Sequence, residues 1–205
     1  MKINIQIDKM KERKKQKNKL KHLIISDMSS GGGYNPPNII KIIKRFVFFP
    51  NFRCLIYNRI YNTSNSVILK RIVYVLNLWI DGHYGISIPV ETKLGECIGL
   101  PHSGPIVINP STIIGNNVII HPNVLLGGIR GKGAPCIGNN VFIGNGTKIL
   151  GNVKIGNNVF IAPNSVVIHD IVDEACVGGN PCKILNFNGK KNVKAYSIFL
   201  YEIKS

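Results

Sequence analysis

The second half of the chain repeats a six-residue pattern of apolar and polar positions. An aliphatic residue recurs at every sixth position, glycine usually follows it, and a small or β-branched residue stands four places after it. A period of six predicts a three-sided coil, in which each hexad forms one short strand and one corner. Three hexads then close a turn of about 18 residues that rises by about 4.8 Å, the spacing between neighbouring strands. The aliphatic series, which we expect to point inward and stack from coil to coil, is Ile88, Leu94 and Leu100, then Ile108, Ile114, Ile120 and Leu126, then Ile137, Ile143, Ile149, Ile155, Ile161 and Val167.

Glycine and asparagine mark the corners of this coil. The sequence Gly-Asn-Asn occurs three times, at 115–117, 138–140 and 156–158. Corners require positive φ angles, which these two residue types tolerate best. An antiparallel sandwich would instead alternate apolar and polar residues, with turns every 8–12 residues. We therefore predict an all-β core over residues 86–187, a parallel β-helix of hexapeptide repeats.

The first half of the chain carries helical spacing instead of hexads. Residues 38–85 contain two apolar segments with basic residues among them, 39–61, which a proline interrupts, and 67–80. We interpret them as amphipathic helices that form a helical region before the solenoid. Residues 1–37 are predicted to be a basic flexible tail. Nine of the first 22 residues are Lys or Arg, which suits a solvated tail or a frayed helix, and a break rich in Gly and Pro follows.

Two roles are open for the amphipathic helices. They would pack against the solenoid or a partner subunit, or they would lie on an anionic membrane surface. Their apolar spacing suits packing, and the alternation of aromatic and basic residues suits the membrane. The two roles are compatible, and packing is the one we favour.

Net charge divides the chain into the same segments. The formal charge of +16 is distributed as +12 over residues 1–85, +1 over 86–187 and +3 over 188–205, which we take as a C-terminal extension. A basic nucleic-acid-binding domain would carry its charge on the folded body. Because the solenoid is nearly neutral, we exclude nucleic acid as a partner and relate the charge to where the protein is located.

Cysteine and histidine usage argues against a metal site. The five cysteines are an odd number without a Cys-x-x-Cys pair, a pattern that suits neither a disulfide framework nor a zinc site. We expect them to be small apolar fillers in a reducing compartment. His102 and His121 in the coil do not supply the three ligands that a catalytic metal would need in one chain. We therefore predict no metal.

Short motifs in and beside the repeat point to a known family. These motifs are Ile88-Pro89, Gly99-Leu100-Pro101-His102, Ile106-Val107-Ile108-Asn109, Leu126-Gly127-Gly128, Ile149-Leu150-Gly151-Asn152, Gly179-Asn180-Pro181-Cys182-Lys183-Ile184 and, upstream, Pro50-Asn51-Phe52-Arg53. Over residues 86–187 the chain resembles the left-handed β-helix acyltransferases. Within them it looks most like the serine acetyltransferases and their relatives in bacterial polysaccharide clusters. The resemblance implies a left-handed coil and a homotrimer whose active sites lie in clefts between neighbouring subunits.

The resemblance gives one of the five histidines a catalytic role. Transfer of an acetyl group from a thioester to a hydroxyl needs a base with a pKa near neutrality, which histidine provides. His102 matches the family's general base, two residues into a hexad. His121 lies about one coil further on, so we expect it near His102 in a packing role. The histidines that match no family position are His22, His83 and His169.

The chain departs from the serine acetyltransferases at three positions on the acceptor side. Ser87 stands where the family has an aspartate that orients the base, Pro101 where an aspartate helps to bind the serine amine, and Ala134 where a histidine helps to bind serine. An ammonium group needs a carboxylate partner, so these losses disfavour L-serine as the acceptor. Ser87 can still accept the ring N–H of the base, and Glu91 is the other candidate for an orienting partner.

The donor side matches the family better. In the family, acetyl-coenzyme A lies along the groove between coils and is held largely by backbone groups. The matching positions here are Gly128, Asn145 and Pro163. Lys183 is placed to meet the nucleotide phosphates as a point charge, although a solvated surface lysine would have the same sequence context.

An interruption of the repeat adds a second donor-side feature. The spacing from Leu126 to Ile137 is longer than one hexad, so the extra residues must leave the coil as a loop at 127–136, which contains Arg130 and Lys132. In the family, a loop here overhangs the acyl-donor cleft. Interruptions of a regular scaffold are where function concentrates, so we assign this loop to the donor site.

These residues predict an O-acetyltransferase that uses acetyl-CoA as co-substrate and has no tightly bound cofactor. We expect the acceptor to be a sugar hydroxyl of a surface polysaccharide or its precursor. Serine O-acetyltransferase of cysteine biosynthesis is the alternative, and a non-catalytic β-helix scaffold is the alternative from another class. We expect the protein in the cytoplasm, with peripheral contact at the inner face of the cell membrane.

Overall fold

The computed structural model describes residues 2–29, 38–129 and 133–204, and their side chains over 11–29, 38–129 and 133–196. Within these described ranges, four helices precede a β-solenoid and a fifth follows it. The helices are α1 (Lys2–Ser29), α2 (Ile39–Phe48), α3 (Pro50–Thr63), α4 (Val67–Tyr84) and α5 (Gly189–Lys204).

The solenoid is built from strands of two to four residues, as the hexad pattern predicts. Within the described residues these are β1 (Ile86–Ser87), β2 (Lys93–Leu94), β3 (Ile106–Ile108), β4 (Ile113–Ile114), β5 (Val118–Ile120), β6 (Val124–Gly127), β7 (Cys136–Ile137), β8 (Val141–Ile143), β9 (Lys148–Leu150), β10 (Lys154–Ile155), β11 (Phe160–Ile161), β12 (Val166–Val167), β13 (Cys176–Gly178) and β14 (Lys183–Asn186).

The strands stack into three sheets, one for each side of the coil. The first sheet has the order β1-β3-β6-β9-β12, the second β2-β4-β7-β10 and the third β5-β8-β11-β13-β14. Neighbouring strands are parallel except the last pair, β13 and β14. Ile149 lies beside Val167, the member of the series three hexads later, which confirms the predicted length of one turn. Leu126 lies beside Ile149, further along the chain than one regular turn, because the extra loop leaves the coil between them.

The repeating aliphatic residues form the core of the solenoid. Every member of the predicted series is buried except Leu94, which is half-buried. From Ile137 to Val167 the members of the series are at most 3% exposed. Burial of one such side chain contributes about 1.5–3 kcal/mol. The inward stacking of this series confirms the predicted fold class.

A ladder of polar side chains runs along one corner of the solenoid. Asn117, Asn140, Asn158 and Glu174 all have φ angles between 55 and 63°. Asn117 donates to Asn140 Oδ1 at 2.8 Å, Asn140 donates to Asn158 Oδ1 at 2.5 Å, and Asn158 donates to Glu174 Oε1 at 2.7 Å. The Gly-Asn-Asn repeats therefore form the corners and also link each coil to the next.

The glycine before each asparagine pair has no room for a side chain. A Cβ on Gly138 would lie 2.6 Å from the carbonyl oxygen of Gly156 and 2.7 Å from its carbon. Gly115 meets Gly138 in the same way, one coil earlier. Glycine is required in this column because the backbones of successive coils are in direct contact.

Helix α3 joins the helical region to the first coil. Pro50 begins the helix, where a missing N–H costs nothing, so the interrupted apolar segment forms two helices, α2 and α3. Asn58 donates to the carbonyl oxygens of Val90 at 3.0 Å and Thr92 at 2.8 Å. Most of α3 is buried, which confirms that it packs on the solenoid.

Helix α1 differs from the expected flexible tail. Residues 2–29 form one continuous helix, and Leu23, Ser26 and Asp27 near its end are buried. The Arg59 guanidinium binds both carboxylate oxygens of Asp27 at 2.9 Å. Ile98 N also donates to Asp27 at 3.0 Å. The expectation of a solvated tail is therefore wrong for this end of α1, because a buried ion pair fixes it. The expected break at 30–37 lies outside the described residues.

Helices α2 and α4 leave much of their apolar surface exposed. Helix α2 has no buried residue, and α4 buries only Val73, Asn77 and Ile80. None of the described helices is long and apolar enough to cross a membrane. The C-terminal extension forms α5, which packs on the third sheet through Val193, against Ile119 and Phe142.

Candidate active site

One corner of the solenoid carries four of the residues that the sequence singled out. His121, Asn145 and Pro163 lie where the chain passes from the third sheet to the first. His102 lies at the same corner, because Gly99 bridges to Ile119 of the third sheet shortly before the chain enters β3. We call this edge the histidine corner. Asn145 and Pro163 are one regular turn apart, and the N–H of the residue after Pro163 donates to the Asn145 carbonyl at 2.8 Å. The regular coil therefore brings these residues into one row.

Helix α3 holds the backbone of the candidate base. The Asn51 side-chain amide donates to the carbonyl oxygens of Leu100 at 2.7 Å and His102 at 3.2 Å. Asn51 is 1% exposed, so its position is fixed. The His102 imidazole itself is exposed, and among the described residues it makes no hydrogen bond. An exposed imidazole on a fixed backbone is free to meet a substrate.

A second histidine lies directly beside the first. The rings of His102 and His121 are 5.4 Å apart, as the spacing of one coil predicts. His121 is 8% exposed and packs among Phe142 and Tyr196. Its Nε2 is 2.9 Å from the hydroxyl of Tyr196, on α5. Burial, and secondarily the neighbouring His102, lower the pKa of His121 to about 4, so it is neutral near pH 7.

The expected orienting partner of the base is engaged with another group. The Ser87 hydroxyl donates to Asp81 Oδ2 at 2.9 Å, and no bond joins Ser87 to His102 among the described side chains. Asp81, on α4, thus places a carboxylate directly beside Ser87. Ser87, Asp81 and Glu91 line one cleft of about 340 Å³, which His102 does not line. The orienting roles of Ser87 and Glu91 stay predictions.

The other two acceptor-side departures lie where the coil places them. Pro101 is half-buried immediately before His102, and Ala134 is half-buried after the loop that follows β6. Neither residue offers a polar side chain to an acceptor.

The expected donor-side residues lie at two edges of the first sheet. Asn145 and Pro163 are at the histidine corner, and Gly128 is at the opposite edge, just after β6. There Ile129 N donates to Gly133 O at 3.0 Å, closing the base of the loop. Arg130 and Lys132 lie outside the described residues. A donor that touches all these positions would have to cross the first sheet.

Lys183 is exposed near the C-terminal end of the same row. It pairs with Gly178 in β13, and Ala162, beside Pro163, donates its N–H to Val177 O at 2.9 Å. The lysine therefore lies two strands beyond β11, the strand that precedes Pro163, and its contact with phosphates stays a prediction.

The other histidines and the cysteines lie elsewhere. His22 pairs with Glu96 at 3.1 Å, His83 stacks on Trp79 with ring centroids 4.8 Å apart, and His169 is exposed. No group of three metal-binding side chains occurs within the described part of the chain. All five cysteines are free, and burial raises the pKa of the Cys54 thiol to about 12, which keeps it protonated.

Sequence reasoning missed the roles of three residues at this site. Asn51 stood in a recognised motif, but nothing in the motif said that its amide would bind the His102 backbone. Asp81 and Tyr196 carried no signal, because each reaches the site only through the packing of a helix on the solenoid.

Comparison with known proteins finds similar sequences and structures. The bacterial transferase hexapeptide family (six repeats) matches residues 137–169. The serine acetyltransferase of Staphylococcus aureus (strain Mu50 / ATCC 700699) is 36% identical over 145 residues, which cover 69% of this chain and 66% of that protein. The chain thus spans just under two thirds of the length of this curated relative.

Solved structures agree with this similarity. The crystal structure of Neisseria gonorrhoeae serine acetyltransferase in complex with serine matches with a TM-score of 0.69 and 28% identity, covering 81% of this chain and 69% of that one. A serine acetyltransferase in complex with CoA matches with a TM-score of 0.66 and 26% identity, covering 80% and 68%. Residues 137–169 therefore carry the hexapeptide transferase repeat, and the chain shares the left-handed β-helix fold of the serine acetyltransferases it is similar to.

Proposed function

We propose that the protein is an acetyl-CoA-dependent O-acetyltransferase with His102 as its general base. The observation that carries the proposal is the exposed imidazole on a backbone that Asn51 fixes. Its place at the histidine corner, in the same row as two candidate donor-binding positions, supports this role. Similarity to a serine acetyltransferase solved with CoA supports the donor. A non-catalytic scaffold would not need an exposed histidine held in this way.

The proposed reaction needs one proton transfer in each direction. His102 takes the proton of the acceptor hydroxyl as its oxygen attacks the thioester carbonyl. The tetrahedral intermediate collapses, the C–S bond breaks, and the imidazolium returns the proton to the leaving thiolate. The products are the acetyl ester and free CoA. Neutral His121 adds no second positive charge beside the imidazolium that forms.

The serine hydroxyl is the first candidate acceptor. The reported relatives are named for serine, and one was solved with serine bound. This favours the alternative over the expected sugar hydroxyl.

A sugar hydroxyl is the second candidate, favoured by two specific residues. Pro101 and Ala134 offer no polar side chain at positions that help to bind serine in the resembling enzymes. An acceptor without an ammonium group would not need them. A place in polysaccharide biosynthesis follows only from this second candidate.

The proposal includes a homotrimer in the cytoplasm. The family resemblance supports the trimer, and so does the stripe of exposed apolar residues on α4, which has the chemistry of a subunit contact. The stripe is Ile68, Ile72, Val75, Leu76 and Trp79. Free cysteines suit a reducing compartment.

Thiol release from acetyl-CoA tests the proposal directly. The full chain should release CoA with one acceptor class, L-serine or a panel of nucleotide sugars and oligosaccharides, well above hydrolysis alone. His102→Ala should lower kcat by about 10²–10⁴-fold, because a general base contributes that much. His169→Ala, which changes an exposed histidine far from the row, should keep nearly the full rate.

Two results would contradict the proposal. Near-full activity of the His102→Ala variant would remove His102 from the role of base. Absence of turnover with every acceptor would favour the scaffold. A rate with serine that exceeds the rate with the best sugar would settle the acceptor in favour of the first candidate.

A further inference from the structure

A lysine-rimmed apolar groove runs between α1 and α2. Its volume is about 810 Å³. The apolar lining comes from both helices, and the lysines come from α1 alone. The lining residues are Leu20, Ile24, Ile25, Ile39 and Ile42, with Lys14, Lys17, Lys21 and Asn18 at the rim.

The three lysines form a row above the groove. Spacings of three and four residues put Lys14, Lys17 and Lys21 on one face of α1, over a length of about 10 Å. Among the residues that the structure describes, no acidic side chain lines the groove. The two acidic side chains described on α1 are turned elsewhere, since Glu12 accepts from Asn65 at 3.4 Å and Asp27 binds Arg59. The rim is therefore uncompensated positive charge.

The outer face of α2 extends the apolar surface beyond the groove. Ile39, Ile40, Ile43 and Val47 lie on one side of the helix and are 54–66% exposed. Lys41 and Lys44 flank them and are also exposed. Residues 38–80 contain no Asp or Glu at all. An aliphatic face bordered only by lysines is the composition of helices that lie in the interface of an anionic membrane.

Charge decides between a lipid surface and a second copy of the chain. A symmetric dimer through this face would bring the Lys14–Lys17–Lys21 row of one copy toward the same row of the other, and like charges oppose such a contact. Anionic phospholipids supply both complements at once, acyl chains for the aliphatic face and phosphates for the lysines. A soluble phosphate would use the lysines and leave the aliphatic face in water.

We propose that the α1–α2 groove and the outer face of α2 bind anionic phospholipids and hold the protein on a membrane surface. The proposal rests on this surface alone and does not depend on the proposed acetyl transfer. The site contains part of the positive charge that lies outside the solenoid. The stripe of exposed apolar residues on α4 is not part of this site and remains available for contact between subunits.

Co-sedimentation of the full chain with vesicles tests the proposal. Vesicles of phosphatidylcholine with about 30% phosphatidylglycerol should bind the protein, pure phosphatidylcholine should bind it far more weakly, and raising the salt should weaken binding. The triple variant K14Q/K17Q/K21Q should bind about 100-fold more weakly, since each interfacial lysine contributes about fivefold. The variant I40S/I43S should bind about tenfold more weakly or worse.

Matched control variants distinguish binding at this site from a general effect of net charge or of exposed apolar area. K190Q/K191Q/K194Q removes the same charge from exposed positions on α5, and I168S/V172S removes exposed aliphatic side chains from the solenoid. Both should bind nearly as the unchanged chain does. Thermal melting of each variant verifies that it is folded.

The overturning results are specific. If K14Q/K17Q/K21Q and K190Q/K191Q/K194Q lose vesicle affinity equally, the protein is attracted by its net charge and has no specific site in the groove. If I40S/I43S binds vesicles as the unchanged chain does but forms a smaller oligomer in light scattering, the outer face of α2 contacts a second copy of the chain and not a membrane. Absence of binding to anionic vesicles would disprove the membrane proposal. That result would say nothing about acetyl transfer, which is measured separately.

Discussion

A neutral histidine beside an exposed one is the main chemical feature at the scale of single residues. His121 is kept uncharged by burial, its Nε2 is 2.9 Å from the Tyr196 hydroxyl, and its ring supports the flank of His102. A lysine or arginine at position 121 would repel the imidazolium that forms during catalysis. The pair therefore divides two roles that need opposite environments, a buried packing ring and an accessible base.

The buried ring predicts a specific acid sensitivity. His121 has a folded-state pKa of about 4, below the ordinary value of 6.5, so the unfolded chain binds its proton first as the pH falls. The stability that depends on neutral His121 is complete above about pH 6.5 and is lost progressively toward pH 4. Between pH 7 and 4.5 this loss should be about 2 kcal/mol in urea unfolding.

The variant His121→Phe should reduce this pH dependence, because phenylalanine does not titrate and still fits an aromatic cluster. His169→Gln, at an exposed histidine, should leave it unchanged. If the free energy of unfolding of His121→Phe falls with acid as steeply as that of the unchanged chain, the assignment is wrong.

At this scale the sequence predicted contacts between successive turns of the coil. It did not predict contacts between the coil and the helices packed on it. His102 and His121 could be placed together because they are about one turn of the coil apart, and successive turns stack on each other. The Ser87–Asp81 bond depends on how α4 meets the first strand, and the Tyr196 contact depends on where α5 folds back. No local pattern determines either distance.

At the scale of elements, the corner between the second and third sheets is specified twice in each coil. The polar ladder fixes the side chains of one coil against the next, and the glycine column lets the backbones meet. A substitution in the column therefore acts on two coils at once, although it adds only one methyl group.

Gly138→Ala should destabilise the protein by about 3 kcal/mol. The added Cβ would stand 2.6 Å from a backbone oxygen that cannot move without shifting the next coil. Gly82→Ala provides a control of opposite sign, since a Cβ there meets nothing within 4 Å. It lies inside α4 and should stabilise by about 0.5–1 kcal/mol through helix propensity. Equal midpoints of urea unfolding for the two variants would contradict this account.

The elements themselves were predictable to different degrees for a physical reason. The position of a residue within its hexad indicates whether its side chain is buried, so each inward residue from Ile108 to Val167 could be predicted. A helix reveals an apolar face but not its partner. Helix α3 is therefore buried and α2 exposed, although both come from one apolar segment.

At the scale of the whole molecule, one buried ion pair connects the helices to the solenoid. The Arg59 guanidinium binds Asp27 and also donates to the carbonyl oxygens of Leu94 at 3.0 Å and Gly95 at 2.6 Å. Helix α1, helix α3 and the first coil thus meet at one cation. A lone Asp in a lysine-rich segment gave no sign of this contact, so the sequence suggested a loose tail.

Asp27→Asn should lower the free energy of unfolding by about 3–5 kcal/mol, because Arg59 would stay buried without a countercharge. Glu96→Gln changes the exposed pair with His22 and should alter stability by less than about 0.5 kcal/mol. Urea unfolding of the two variants at one pH compares them. A midpoint for Asp27→Asn equal to that of Glu96→Gln would show that the ion pair does not hold α1 in place.

The stacking of identical coils also makes the solenoid a ruler. Each full turn advances the chain by about one strand spacing, about 4.8 Å. The separation of His102 from Lys183 along the axis is therefore set by how many turns lie between them. Gain or loss of one complete turn would keep the core and the ladder intact and move the two side chains by a fixed step. The number of repeats therefore determines how long a molecule must be to contact both His102 and Lys183.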